Sequence, residues 1–270
     1  MFTKLLKQEW RATRGILGLL CLVSLIAAVL GGGSMRFLVG MSQETEEMEG
    51  IIVLCAMILA CAIIAIAVCC AASVFLMIWR FYRSRFTDEG YLTFTLPVST
   101  HQNLLSCLVN STVCVILTAL TAMICMAALL MLGFSGMKEF WAELWKEFPQ
   151  LLEMLREAFG AEEWKLLGMM LLNLAVSLVG GLVILMLAVT IGSMIARKHK
   201  LLAAVGTYFG ISMVMSFVES ALMVGSVNSS DTGPAIVSGF FSGTVLLTLA
   251  FAVGGYFLMY FLIEKKLNLN

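Results

Sequence analysis

Charge is scarce in this chain: only 13% of its 270 residues are Asp, Glu, Lys or Arg. A soluble domain carries nearer ~25%. The apolar share, 61%, is more than one aqueous core of this length can hide. Proline is rarer still, at three copies, and none of Pro97, Pro149 and Pro234 interrupts a long apolar run. Histidine occurs only at His101 and His199. Both flank polar stretches, where imidazoles are solvated, so neither is assigned any chemistry. The net charge is zero, which argues against a nucleic-acid partner.

The eight cysteines, Cys21, Cys55, Cys61, Cys69, Cys70, Cys107, Cys114 and Cys125, all lie inside apolar runs. A secreted disulfide framework would place them in the polar connections. A metal site would cluster them with His or carboxylates, and no such partners stand near them. They read as small packing residues. Also missing are G-x-x-x-x-G-K-[ST], G-x-S-x-G and H-E-x-x-H. No catalytic residue, cofactor or metal is therefore expected, and the chain does not bind ATP through a P-loop.

What the chain does have is apolar runs of roughly 18 residues or more, the length that crosses a bilayer as a helix. They predict an all-α membrane protein with six spans, at about 15–30, 51–78, 104–132, 166–196, 201–227 and 234–263. Residues 1–14 read as a separate amphipathic elbow helix. Lys4, Lys7, Arg11 and Arg14 form its basic stripe, and Phe2, Leu5, Leu6 and Trp10 its apolar one. Such a helix rests on lipid, basic face toward anionic headgroups. A cleaved signal peptide is the rival reading of this start, but no small-x-small site follows. Gly31-Gly32-Gly33 reads as the end of the first span.

Residues 135–165 form the longest polar region, yet Phe140, Trp141, Leu144, Trp145, Phe148, Leu152, Leu155 and Phe159 recur at helical spacing. The spacing breaks once, at Pro149, and one or two amphipathic helices are predicted here. They would lie on the outer surface, with a lid over an exit path as the sharper alternative.

Orientation follows from the basic residues. Lys4, Lys7, Arg11, Arg14, Arg80, Arg83, Arg85, Arg197, Lys198, Lys200, Lys265 and Lys266 fall on one side, twelve of the seventeen. That side is read as the cytoplasm, with both termini on it. Two further features bear on function. Glu219 is the one carboxylate well inside an apolar run; it falls near the outer interface, which makes it either an interfacial structural residue or a candidate pathway residue, with Ser212, Ser216 and Ser220 placed to solvate it. The pairs Gly206/Gly210 and Gly239/Gly243 have the spacing of close helix packing, within the chain or at a dimer seam.

The most informative stretch is the cytoplasmic loop 84–103. Leu92, Phe94 and Leu96 are apolar although they lie outside the bilayer. Pro97 stops whatever precedes it. Ser99 and Gln102 have capping-box spacing and start the third helix. An apolar, capped, proline-bounded element facing the cytoplasm suggests docking onto another protein, with a loop tucked against the bundle as the alternative. With its Glu89-Gly90, Leu92 and Leu96-Pro97-Val98-Ser99, the chain resembles the membrane-spanning permease subunit of bacterial type-two ABC exporters.

The resemblance extends to the elbow, six spans and cytoplasmic termini. It implies that Asp88, Glu89, Gly90, Leu92, Leu96, Pro97, Val98 and Ser99 form the coupling element that touches an ATP-binding cassette ATPase subunit. It also implies a second permease copy, identical or paralogous, in the cytoplasmic membrane. Ser106, Asn110, Ser111, Thr112, Asn173 and Ser177 speckle otherwise apolar spans, which favours an amphipathic peptide, drug or lipid as substrate. Two other classes stay open: an ion-coupled secondary transporter, which would need broken helices and paired midplane polar groups, and a non-transporting immunity or sensor-anchoring protein.

Overall fold

A computed structural model describes residues 2–41, 49–87, 99–158, 161–195, 199–229 and 233–266. These residues fold into seven α-helices: α1 (Phe2–Met41), α2 (Glu49–Phe86), α3 (Thr100–Gly133), α4 (Lys138–Ala158), α5 (Ala161–Ile195), α6 (Lys200–Ser229) and α7 (Gly233–Lys266). Six of them, all but α4, are long and apolar enough to cross a membrane. The chain is therefore an all-α, multi-pass membrane protein. Many of its largest apolar side chains, among them Leu202, Met213 and Phe217, are exposed. Lipid is the medium that tolerates such a surface.

The helices divide into two compact units, Lys7–Met77 with Val113–Met154, and Met1–Leu6 with Ile78–Thr112 and Leu155–Asn270. The first is a three-helix cluster of α1, α2 and α3. Leu17 packs with Met77 and Cys114, and Ala28 with Ile66 and Cys125. As α1 advances, its partners on α2 step backward and those on α3 step forward, so α2 runs antiparallel to α1 and α3 parallel to it. Ser73 Oγ donates to Thr118 Oγ1 at 3.2 Å, joining α2 to α3. Of the eight cysteines expected to pack, Cys55, Cys114 and Cys125 are buried here, Cys21, Cys69 and Cys70 are half-buried and Cys61 is exposed; Cys107 is buried in the other unit.

Two expectations about α1 are corrected. No separate elbow covers residues 1–14; the helix runs unbroken from Phe2 to Met41. Its inward stripe, Trp10, Thr13, Leu17, Cys21, Ser24 and Ala28, keeps a spacing of three and four throughout. Thr13 is 0% exposed, and Cys114 Sγ lies 3.9 Å from its hydroxyl. A packed stripe that crosses Arg14-Gly15 outweighs the roughly 1 kcal/mol helix penalty of one glycine. Nor does Gly31-Gly32-Gly33 end the helix. A Cβ on Gly31 would stand 2.7 Å from Ala62 Cβ, and one on Gly32 2.7 Å from Leu132 Cβ. These glycines let α1 approach α2 and α3 closely, which is how membrane helices gain dispersion contact where lipid removes the hydrophobic drive.

α4 is a single helix, the first of the two alternatives, because Pro149 lies inside it without ending it. A proline removes one backbone bond, and in this exposed stretch water can take the freed carbonyl. Trp141 Nε1 donates to Phe134 O at 2.9 Å and ties the start of α4 to the end of α3.

In the other unit α5 is the central helix. Half of its apolar window is buried, against 11% for that of α6. The consecutive residues Leu182–Ile184 and Met186–Thr190 are all buried, so α5 is covered on every side there. Asn173 Nδ2 donates to Thr244 Oγ1 at 2.8 Å, and Ser177 Oγ lies 3.4 Å from Asn173 Oδ1. The first bond crosses the α5–α7 seam and the second lies within α5. At the short α5–α6 connection the two backbones nearly touch, since a Cβ on Gly192 would run into the backbone N and Cα of Ala204. Gly206 and Gly210 have nothing within reach of an added Cβ, so their spacing is not used for packing among the described residues.

Gly192→Ala should therefore destabilise the protein by about 1–3 kcal/mol, read as a lowered Tm in detergent. Gly206→Ala, on the open face of α6, should leave Tm unchanged or slightly raised, as expected of a better helix former.

Candidate functional site

The loop 84–103 joins α2 to α3. Asp88, Glu89, Gly90, Leu92, Leu96, Pro97 and Val98 lie outside the described residues. Its two ends are described, and they form the most polar buried region among the described residues.

α2 reaches Phe86 and α3 starts at Thr100, so both are longer than their apolar runs. At 38 and 34 residues they span about 57 and 51 Å at 1.5 Å per residue. A bilayer's hydrocarbon is ~30 Å thick, and the surplus turns carry polar groups. Ser99 caps α3. Its Oγ accepts the Gln102 N–H at 3.4 Å, and its carbonyl oxygen accepts the Asn103 N–H at 3.2 Å. The first satisfies one of the amide donors that a helix start leaves without partners, and the second is the first i→i−4 bond of the helix.

The last turn of α2 sends Arg85 inward. Its side chain is 1% exposed. Nη2 donates to Asn103 O at 2.9 Å and to Asn103 Oδ1 at 3.0 Å. Nη1 donates to Ser84 Oγ at 2.8 Å. The guanidinium carbon sits 4.9 Å from the centroid of the Phe81 ring, one helical turn back and itself 0% exposed. Nε is buried without a hydrogen-bond partner. Every acceptor that Arg85 finds among the described residues is thus neutral. On α3 the polar lining continues through Ser106, Asn110 and Ser111, all buried, and Ser106 Oγ donates to Asn103 O at 2.9 Å.

α7 holds the same first turn of α3. Tyr256 Oη lies 2.8 Å from His101 Nδ1, and the two rings meet edge to face at 5.6 Å. Tyr260 stands edge-on to the same imidazole at 6.5 Å. His101 was expected to be a solvated helix-end residue. It is exposed, but it is bound.

Glu219 is half-buried on α6. Among the described residues no hydrogen bond or ion pair holds it, and Ser220 Oγ donates instead to Phe217 O at 2.8 Å. Among the polar residues that speckle the spans, Ser106 and Thr112 bond to their own helix, Asn173 bonds across the α5–α7 seam and Ser177 bonds to Asn173.

Sequence reasoning counted Arg85 only as a basic residue and missed Asn103 and Tyr256. A signal for Arg85 existed. It extends by one turn the buried α2 stripe of Ala62, Ile66, Ser73, Met77 and Phe81. Nothing in the sequence singled out Tyr256.

No protein-family model, curated protein or solved structure matches the chain.

Ser99→Ala should cost about 0.5–1 kcal/mol. The effect should be confined to the first turn of α3, as faster amide exchange at Gln102 and Asn103 with α5–α7 unchanged. Glu219→Gln should leave Tm unchanged, because it removes a charge that no described residue holds. Lost transport at a normal protein level would then mark Glu219 as a pathway residue.

Proposed function

We propose that this chain is the permease subunit of an ATP-driven exporter of the type-two ABC class, moving an amphipathic peptide, drug or lipid across the cytoplasmic membrane. It would work as one of two six-span copies, identical or paralogous, with a separate ATP-binding cassette subunit. Both termini would face the cytoplasm, as the distribution of basic residues argues.

The observation that carries this reading is the Glu89-Gly90, Leu92, Leu96-Pro97-Val98-Ser99 sequence, set between two helices whose ends are bonded to each other. The Arg85–Asn103 contacts and the Ser99 cap give segment 88–98 a held base on both sides. A docking element that passes force needs such a base, since a slack one would dissipate the movement of its partner. ATP binding would draw the two ATPase subunits together, and their displacement would press on Asp88–Ser99. The load would then pass into α2 and α3, which continue as single helices through the apolar layer. An ion-coupled carrier finds less support, because the six spanning helices are unbroken over their described lengths.

Purification of the full chain from its native membranes should bring an ATPase with it. The triple variant Glu89→Arg, Leu92→Asp, Leu96→Asp should reduce that recovery about tenfold or more, a loss of ~1.4 kcal/mol or greater, at an unchanged permease level. Equal recovery with the triple variant would refute the docking role.

A further inference from the structure

We propose that Arg85 is a positioning residue that locks the last turn of α2 to the first turn of α3, so that a load on either helix end moves both. The lock is a claim about this chain alone. Its use in transport rests on the exporter reading above.

The geometry favours a lock over a solvated charge. One nitrogen, Nη2, bridges the backbone and side-chain oxygens of the same residue, Asn103, at 2.9 and 3.0 Å. Two acceptors on one residue fix rotation as well as separation, which a single bond would not. The other end of the guanidinium is braced on its own helix by Ser84 at 2.8 Å and by the face of Phe81. A planar fork can make these contacts together; an ammonium is a point donor and cannot. Asn103 is in turn fixed to the α3 cap, because its N–H bonds Ser99 O. The connection from α2 through Arg85 to the residue that borders segment 88–98 is therefore continuous.

Energetics point the same way. Arg85 is buried, its Nε is without a partner, and its acceptors among the described residues are neutral. Burying a cation in this way costs several kcal/mol before its hydrogen bonds return anything. An apolar side chain of similar length would fill the site at less expense. A residue that stability alone does not favour is best explained by what it holds in place.

Amide hydrogen exchange on the purified full chain in lipid nanodiscs tests this with the native cysteines untouched. Arg85→Met should speed exchange about tenfold or more in both 80–87 and 100–106, while Tm and the protection of α5–α7 stay as in wild type. Arg85→Lys should fall between the two, and Asn103→Leu, which keeps the charge and removes one acceptor, should loosen the same two segments. Tyr256→Phe should leave 80–87 unchanged. If Arg85→Met does not fold, the Lys and Leu variants carry the same test.

Unchanged exchange in 80–87 and 100–106 would overturn the lock. So would a fall in Tm with faster exchange throughout the chain, because that is the mark of a merely structural residue. With an ATPase bound, nucleotide should alter exchange in both segments of wild type but in only one of them in Arg85→Met. An unchanged paired response in that variant would also overturn the proposal. If the two segments loosen but wild type recovers no ATPase, the lock stands and the exporter reading falls.

Discussion

Hydrocarbon offers a backbone amide no partner, and that constraint organises the rest of this protein. Each spanning segment must satisfy its own N–H and C=O groups, so the apolar runs form helices and continue as helices through glycines that would weaken them in water. Inside the bilayer one apolar face gains little by leaving lipid for another. Contact must come from close fit. The helices meet where small residues allow it, at Gly31 with Ala62 and at Gly192 with the backbone of Ala204. The positions of these residues set the register of α1 on α2 and α3, and of α5 on α6.

Where helices outrun the hydrocarbon the chemistry changes. The ends of α2 and α3 are held by hydrogen bonds and a charge rather than by fit, through Arg85, Asn103, Ser99 and Ser106. His101 and Tyr256 add a link to α7. Hydrogen bonds are directional where packing is not, so this end of the molecule is specified by angle and distance. The segment that most resembles a docking element leaves from this region. A force-bearing loop and a directional anchor at its base are complementary parts of the mechanism proposed for this chain.

Legibility in the sequence followed the range of each signal. Hydropathy is a local average, and it located all six spans. It said less about where the helices end. The helix through Arg14 and the triglycine continues because of what lies across from it on α2 and α3, which a one-dimensional reading does not contain. Pro149 is a local signal too, but its effect depends on whether the lost bond faces water. The capping pair Ser99 and Gln102 was readable because a cap is made by neighbours in sequence. Arg85 was not, although its place on the buried stripe of α2 was available. Charge was taken as a sign of solvent, and here a neighbouring helix supplies the acceptors.

Composition and periodicity alone determined that this is an all-α protein of six membrane-crossing helices, because span length and apolarity depend only on the local chain and on the thickness of a bilayer. Tertiary structure decided that, among the described residues, glycines at 31 and 192 are contacts and those at 206 and 210 are not, and that Arg85 bonds the end of α2 to the start of α3. The reason is geometric. A repeat of three and four residues says which side chains share a face of a helix, but the identity and distance of what that face meets arise only when helices far apart in sequence are brought together.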